Sequence, residues 1–147
     1  MIAPCESVEQ PGWLALRTAL WPHAAEAEHR AEMAGFLAEA SRYLQLVAYD
    51  DGGRPVGFVE ASLRTDPVNG TASTPVAFLE GIYVTPSHRR TGVARRLLDA
   101  VIAWARTKGC GELASDVALD NALGHLAHRA LGFEETERVV FYRRALR

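Results

Sequence analysis

The sequence holds only two cysteines, Cys5 and Cys110, too few for a disulfide framework, so stability must come from an apolar core. They read most simply as reduced, partly buried thiols of a cytosolic protein. Long apolar runs are missing too: no stretch approaches the ~18 residues of a membrane helix. The opening residues MIAPCESVEQ have neither the basic start nor the apolar run of a signal peptide. The expectation is a cytoplasmic protein with no membrane partner. No single sign of charge dominates, because 16 Lys and Arg stand against 18 Asp and Glu, a formal net charge of -2. That balance argues against a surface built for phosphate backbones, so no nucleic acid is expected as partner. A small cationic substrate is compatible with it. Repeats and low-complexity tracts are absent as well. What is present is 48% hydrophobic residues in a chain of 147, which suits one domain over residues 1–147 with a single core.

Hydrophobic spacing divides that domain. Residues 9–40 follow a helical pattern, with Trp13, Leu16, Arg17 and Leu20 at helical spacing. Trp21-Pro22-His23 interrupts it, because proline pushes the preceding residue out of the helical region. A second helical stretch carries Met33, Phe36, Leu37 and Ala40 on one face. Three strand-like runs come next, at residues 43–49, 55–63 and 75–84, separated by Asp50-Asp51-Gly52-Gly53 and by Asp66-Pro67-Val68-Asn69-Gly70. A stripe of Val93, Leu97, Val101 and Trp104 then marks a helix closed at Lys108-Gly109. Residues 111–117 read as a short strand, 120–130 as a helix, and 139–143 as a last apolar strand. The predicted fold class is α/β of the mixed α+β kind: a mostly antiparallel sheet flanked by helices, with at least one parallel crossover near the C-terminus.

Between the third strand and the long helix lies Arg89-Arg90-Thr91-Gly92-Val93-Ala94. Its glycine admits close approach of a ligand to the backbone. The N–H groups of a helix start have no intrahelical partner and bind anions, and two arginines add charge where a pyrophosphate would lie. Neither G-K-[ST] nor G-x-G-x-x-G is present, so the loop is not of the Walker or dinucleotide kind.

With Val84, Pro86, Arg89, Gly92, Ala94 and Leu97, the chain resembles the GNAT acetyltransferase superfamily, whose signature is V-x-P-x-x-[RQ]-x-x-G-x-[GA] before a leucine-bearing helix. Ala130-Leu131-Gly132-Phe133 looks like that family's later motif. The resemblance covers nearly the whole chain and implies a GNAT fold and acetyl-CoA as co-substrate, with no metal. It places the pyrophosphate on the amides of Arg89, Arg90, Thr91, Gly92, Val93 and Ala94. The pantetheine arm would run along Ile82, Tyr83 and Val84, and Asn121 matches a CoA-contacting asparagine. Gly81 is expected at a bulge that splays this strand from its neighbour.

Further blocks resemble one branch, the aminoglycoside 6'-N-acetyltransferases: Leu20-Trp21-Pro22, Val68-Asn69-Gly70, Phe78-Leu79-Glu80-Gly81-Ile82, Ala114-Ser115-Asp116 and the run from Gly132 to Val139. That resemblance implies acetyl transfer to an antibiotic 6'-amine, hence resistance, and a homodimer. Trp21, His23, Glu80, Asp116 and Glu137 would contact the acceptor. Pro67 stands where relatives can carry tyrosine. Independently, a polyammonium acceptor calls for carboxylates, and Glu80 interrupts an otherwise apolar strand, where an unpaired buried charge is costly. Asp116 ends a strand, where ligands gather in open α/β sheets, although a turn or capping aspartate is the competing reading.

In a direct ternary-complex transfer the amine must be neutral to attack, so Asp116 or Glu80 is expected to accept its proton. Many GNAT proteins place a tyrosine five residues before the phenylalanine of L-G-F. Here that position is His128, the expected proton donor to the departing thiolate, with Tyr142 as another candidate. His125 and His128 share a helix face, but no further ligands suggest a metal site. Cys110 has no base partner and reads as a small apolar residue. The alternatives are a GNAT enzyme for another polyamine or protein amine, and a non-catalytic acyl-CoA-binding module.

Overall fold

A computed structural model describes all 147 residues. The elements run β1 (Ile2–Pro4), α1 (Trp13–Leu20), α2 (Glu26–Ala38), β2 (Tyr43–Tyr49), β3 (Pro55–Arg64), β4 (Val76–Val84), a 3-10 turn (Pro86–His88), α3 (Val93–Thr107), β5 (Leu113–Ala114) and α4 (Ala122–Ala130). The strands form one sheet in the order β1-β2-β3-β4-β5. The first four are antiparallel neighbours, and α3 carries the chain across to β5, which lies parallel to β4. The meander, the crossover and the mixed α/β class expected from the sequence are all present.

The sheet is covered on both faces, which is why its central strands read as continuous apolar runs. Successive residues of β2 alternate between two cores. Leu46 and Ala48 join Val59, Ala61 and Leu79 beneath Val93, Leu97, Leu98 and Val101 of α3. Val47 and Tyr49 join Phe58 beneath Trp13 and Leu16 of α1 and Met33 of α2. The single core expected from length is therefore two layers divided by the sheet.

Two irregularities interrupt the pairing of β4. Glu60 pairs with Gly81 but Ala61 pairs with Leu79, so Glu80 is the extra residue of a bulge. On its other side β4 meets β5 only at Ala77 with Leu113 and Phe78 with Ala114, after which the two strands part. The expected strand over residues 111–117 is thus cut to two residues.

The expected last strand over residues 139–143 does not form. Residues 134–147 carry neither helix nor strand, and Val140, Phe141 and Tyr142 are 74%, 85% and 91% exposed. An apolar run needs an edge to pair with, and no edge of the chain's own sheet receives this one. Conversely, β1 escapes the periodicity argument because three residues show no period; its register is set by β2, with Ile2 opposite Ala48.

Candidate active site

The parting of β4 and β5 opens a wedge, and the bulge beside it sets the acceptor side. Gly81 is required there: a Cβ at this position would lie 2.5 Å from two ring carbons of Trp21. The indole therefore rests directly on the β4 main chain. It also meets Phe58 edge-on, with centroids 5.9 Å apart at 77°. The guanidinium of Arg17 sits over its ring, 4.9 Å from the centroid.

Around Trp21 lies a cavity of about 490 Å³, lined by acidic and aromatic groups that include Glu32, Phe36, Tyr43, Glu60 and Glu80. An adjoining cleft shares Glu80 and Tyr43 and runs past Ser62, Arg64, Asp66 and Pro67. Glu80, pushed outward by the bulge, bridges the two. It accepts hydrogen bonds from Ser62 Oγ at 2.7 Å and Arg64 Nη2 at 2.8 Å.

Beneath the cavity is a buried charge network that sequence spacing did not pair. Arg17 and Glu60 are 1% and 2% exposed. One Arg17 nitrogen grips both Glu60 oxygens, a second reaches Glu32, and Trp13 Nε1 donates to Glu60 at 2.8 Å. Burial raises the Glu60 carboxyl above its ordinary range, opposed by the Arg17 charge and by the Arg17 and Trp13 donors. Arg17 Nε also donates to His29 Nδ1 at 3.2 Å, and His29 Nε2 lies 3.2 Å from the Trp21 carbonyl. A guanidinium only donates and a carbonyl only accepts, so His29 is a neutral imidazole with its proton on Nε2. The network thus holds the tryptophan by its face and by its main chain.

On the cofactor side, Gly92 has φ 83° and Arg90 φ 62°, both left-handed. The turn they make leaves the main-chain N–H groups from Arg90 to Arg95 without a main-chain acceptor; the first helical bond is Arg96 N–H to the Gly92 carbonyl, at 3.0 Å. Successive free donors at the start of α3 form an anion cradle. Arg96 adds charge at this turn, its Nη1 donating to the Thr91 carbonyl at 3.4 Å, whereas Arg95 reaches the Ala130 carbonyl at the end of α4. Arg89 folds back, its Nε donating to the Val84 carbonyl at 3.1 Å. That bond marks Val84 as turned away from β3, and the two-residue period gives Ile82 the same aspect. Main-chain groups on the open edge of β4 are therefore free to pair with an extended ligand arm.

The profile of the acetyltransferase (GNAT) family matches residues 10–133. An aminoglycoside N(6')-acetyltransferase type 1 of Acinetobacter genomosp. 13 is 50% identical over 143 residues, spanning 97% of both chains. A crystal structure of the aminoglycoside antibiotic 6'-N-acetyltransferase of Acinetobacter haemolyticus superposes with TM-score 0.94 at 47% identity, covering 100% of this chain and 99% of that one. AAC(6')-Iy in complex with the bisubstrate analogue CoA-S-monomethyl-acetylneamine gives TM-score 0.90 at 44% identity, over 99% and 98% of the two chains. The chain belongs to the GNAT acetyltransferase family.

Within this GNAT fold the residues singled out in the sequence do not all converge. Trp21 and Glu80 share the cavity. Asp116 is exposed just past β5 and is engaged by no partner, while its neighbour Ser115 is hydrogen-bonded to His128 of α4. His23 is exposed on the α1–α2 connection, and Ala24 lines the cavity in its place. Glu137 lies beside the Val68-Asn69-Gly70 loop, where a Cβ on Gly70 would sit 3.8 Å from its own Cβ. Pro67 lines the second cleft. Asn121 caps α4, its side chain accepting from Gly124 N at 3.0 Å. Tyr142 projects into solvent.

The cavity residues missed in the sequence are Arg17, His29, Glu32, Tyr43 and Glu60. Glu60 carried the same signal as Glu80, a carboxylate inside an apolar strand. Arg17 sat on the apolar face of its helix, where a charge needs a partner.

Proposed function

We propose that this acetyltransferase transfers acetyl from acetyl-CoA to the 6'-amine of an aminoglycoside, directly within a ternary complex, and so confers resistance to the antibiotic. The observation that carries this reading is the acidic, aromatic cavity around Trp21 and Glu80, set against the bulge that divides it from the free edge of β4. A polyol with several ammonium groups needs such a mixture of carboxylates and ring faces. The sequence likeness to named 6'-N-acetyltransferases over almost the whole chain supports the same conclusion.

Acetyl-CoA is the co-substrate. Its pyrophosphate is assigned to the amides of Arg89, Arg90, Thr91, Gly92, Val93 and Ala94, and its arm to the edge formed by Ile82, Tyr83 and Val84. Asn121, at the start of α4, is assigned a contact to CoA. Trp21 supplies a platform for a sugar ring, and Glu80, Asp116 and Glu137 answer the ammonium groups, with His23 at the rim. Glu80 is already engaged by Ser62 and Arg64, which suits a binding and orienting role. Asp116 is unengaged and exposed, which suits the carboxylate that takes the ammonium proton and leaves a neutral amine. Free N–H groups near Ile82 and Val84 would polarise the acetyl carbonyl.

We assign the whole of residues 1–147 to this one domain, a cytoplasmic location, and a homodimeric state in which the exposed C-terminal segment pairs with a second copy; nucleic acid and membrane are not partners. The deciding experiment is thiol release from acetyl-CoA with tobramycin or kanamycin as acceptor, and separately with spermidine. Release with the aminoglycoside, abolished when its 6'-amine is replaced by hydroxyl, is the expected outcome. Release with spermidine alone would overturn the substrate assignment.

A further inference from the structure

Ser115 and His128 form a pair that the binding roles above do not use. Ser115 is the first residue after the β4–β5 pairing ends at Ala114, so it stands at the apex of the wedge. Its Oγ lies 2.7 Å from His128 Nε2 and 3.4 Å from the Leu79 carbonyl, one residue before the Glu80 bulge. His128 Nδ1 lies 2.8 Å from the Gly124 carbonyl, one turn back along α4. A carbonyl only accepts, so Nδ1 carries a proton. In the neutral imidazole Nε2 is then the bare acceptor, and the Ser115 hydroxyl donates to it. Phe133 packs against the ring at a tilt of 54°, centroids 5.1 Å apart, and Asn121 caps the helix that carries the histidine. In its neutral form His128 can therefore only receive at Nε2, and it can donate there only after taking up a proton.

We infer that Ser115 and His128 form a proton shuttle between the attacking amine and the departing thiolate. The inference rests on the acetyl-transfer reading of this site. As the acceptor nitrogen bonds to the acetyl carbon, it gives a proton to Ser115 Oγ while the hydroxyl proton moves to His128 Nε2. The imidazolium now donates from both nitrogens, to the Gly124 carbonyl and to Ser115 Oγ. The Ser115 hydroxyl turns free of Nε2, with the Leu79 carbonyl as its alternative acceptor. When the carbon–sulfur bond breaks and its electron pair stays on sulfur, the same proton returns through Ser115 to the thiolate. One proton travels from nitrogen to sulfur and the pair regains its starting state. Ser115 is the catalytic residue and His128 the base behind it. The position taken by tyrosine in many GNAT proteins is filled by two side chains instead of one.

The test is steady-state kinetics of Ser115→Ala, His128→Phe and the double variant, with Ser115→Thr as the hydroxyl-retaining control. The expected result is a fall in kcat of about 10²-fold in each single variant, the lower end of what positioned acid–base groups contribute. KM for acetyl-CoA changes little. The double variant is no slower than the slower single one, because both belong to one relay. Ser115→Thr recovers much of the rate, and a solvent deuterium isotope effect on kcat, expected in the wild type, disappears in Ser115→Ala. Unchanged kcat in Ser115→Ala, losses that multiply in the double variant, or an effect confined to KM would overturn the shuttle. Thermal melts and CoA binding of each variant exclude misfolding as the cause of a lowered rate. Should the wild type turn over spermidine and not the aminoglycoside, the substrate assignment falls alone and the same comparisons are made with spermidine.

Discussion

At the scale of single residues the acceptor cavity depends on one buried ion pair. Arg17 and Glu60 are both almost completely hidden, and each would be an uncompensated charge without the other. Arg17→Ala should therefore destabilise the fold by about 3–5 kcal/mol, read from urea unfolding. The pH dependence has a definite sign. Burial holds the folded pKa of Glu60 above its unfolded value, so the folded chain keeps the proton more tightly. Stability tied to this group is full below the unfolded value and declines as pH rises through the folded one. Losing Arg17 raises that pKa further, so the defect should be smaller at about pH 5 than at about pH 7. A defect that did not shrink on acidification would show that Glu60 stays ionised without its partner. The two thiols make a second residue-scale case. Burial, helped by the Glu60 charge, pushes Cys5 up to about 12, whereas Cys110 is only half-buried. Ellman's reagent should titrate Cys110 slowly in the folded protein and reach Cys5 only on unfolding.

The elements explain which parts of the site could be read in advance. α3 announces itself twice, by an apolar stripe of helical period and by a glycine before its first turn, so the anion cradle was legible. The Gly81 irregularity was legible too, because a glycine in an apolar strand has few other uses. The Arg17–Glu60 pair was not, since its members are 43 residues apart and no local pattern joins a helix to a strand. The orientation of His128 was equally hidden, because a tautomer depends on which carbonyl the ring meets. Two substitutions test the legible part. Gly92→Ala places a Cβ in a left-handed conformation at about 1 kcal/mol. Its only close neighbour would be the far end of the Arg96 side chain, at 3.4 Å. Calorimetric titration should show CoA binding weakened about fivefold by this backbone strain. Gly81→Ala drives a methyl into the Trp21 ring. Overpacking of that kind costs about 1–3 kcal/mol. The expected signature is a raised KM for the aminoglycoside with CoA affinity retained, because only the acceptor side of β4 is disturbed.

The whole molecule carries one feature that neither residue nor element accounts for. Its C-terminal segment packs where Thr136 crosses Gly70, close enough that a Cβ there would meet Thr136 Oγ1 at 2.3 Å, and then leaves the body of the protein. Beyond it Val140, Phe141, Tyr142 and Leu146 are all at least 74% exposed, and Leu119, Leu123 and Leu126 at the α4 end are exposed as well. Several large apolar side chains left in solvent along one short segment point to an interaction site. The apolar, β-branched and aromatic run Val139 to Tyr142 suits a strand, and β5 offers an edge occupied on one side only. The last strand was predicted from four consecutive apolar residues, Val139 to Tyr142, and in the single chain no edge of the sheet receives them. The homodimer proposed above would cover this segment, each copy lending it to the other. Sedimentation of the full-length protein should accordingly give a dimer, and a chain ended after Arg138 should give a monomer. Because Glu137 and the Gly70 contact survive that truncation, the shortened chain should still bind CoA and turn over the acceptor, with reduced thermal stability. A full-length monomer, or a truncated chain that remains dimeric, would show that the exposed segment does not hold the subunits together.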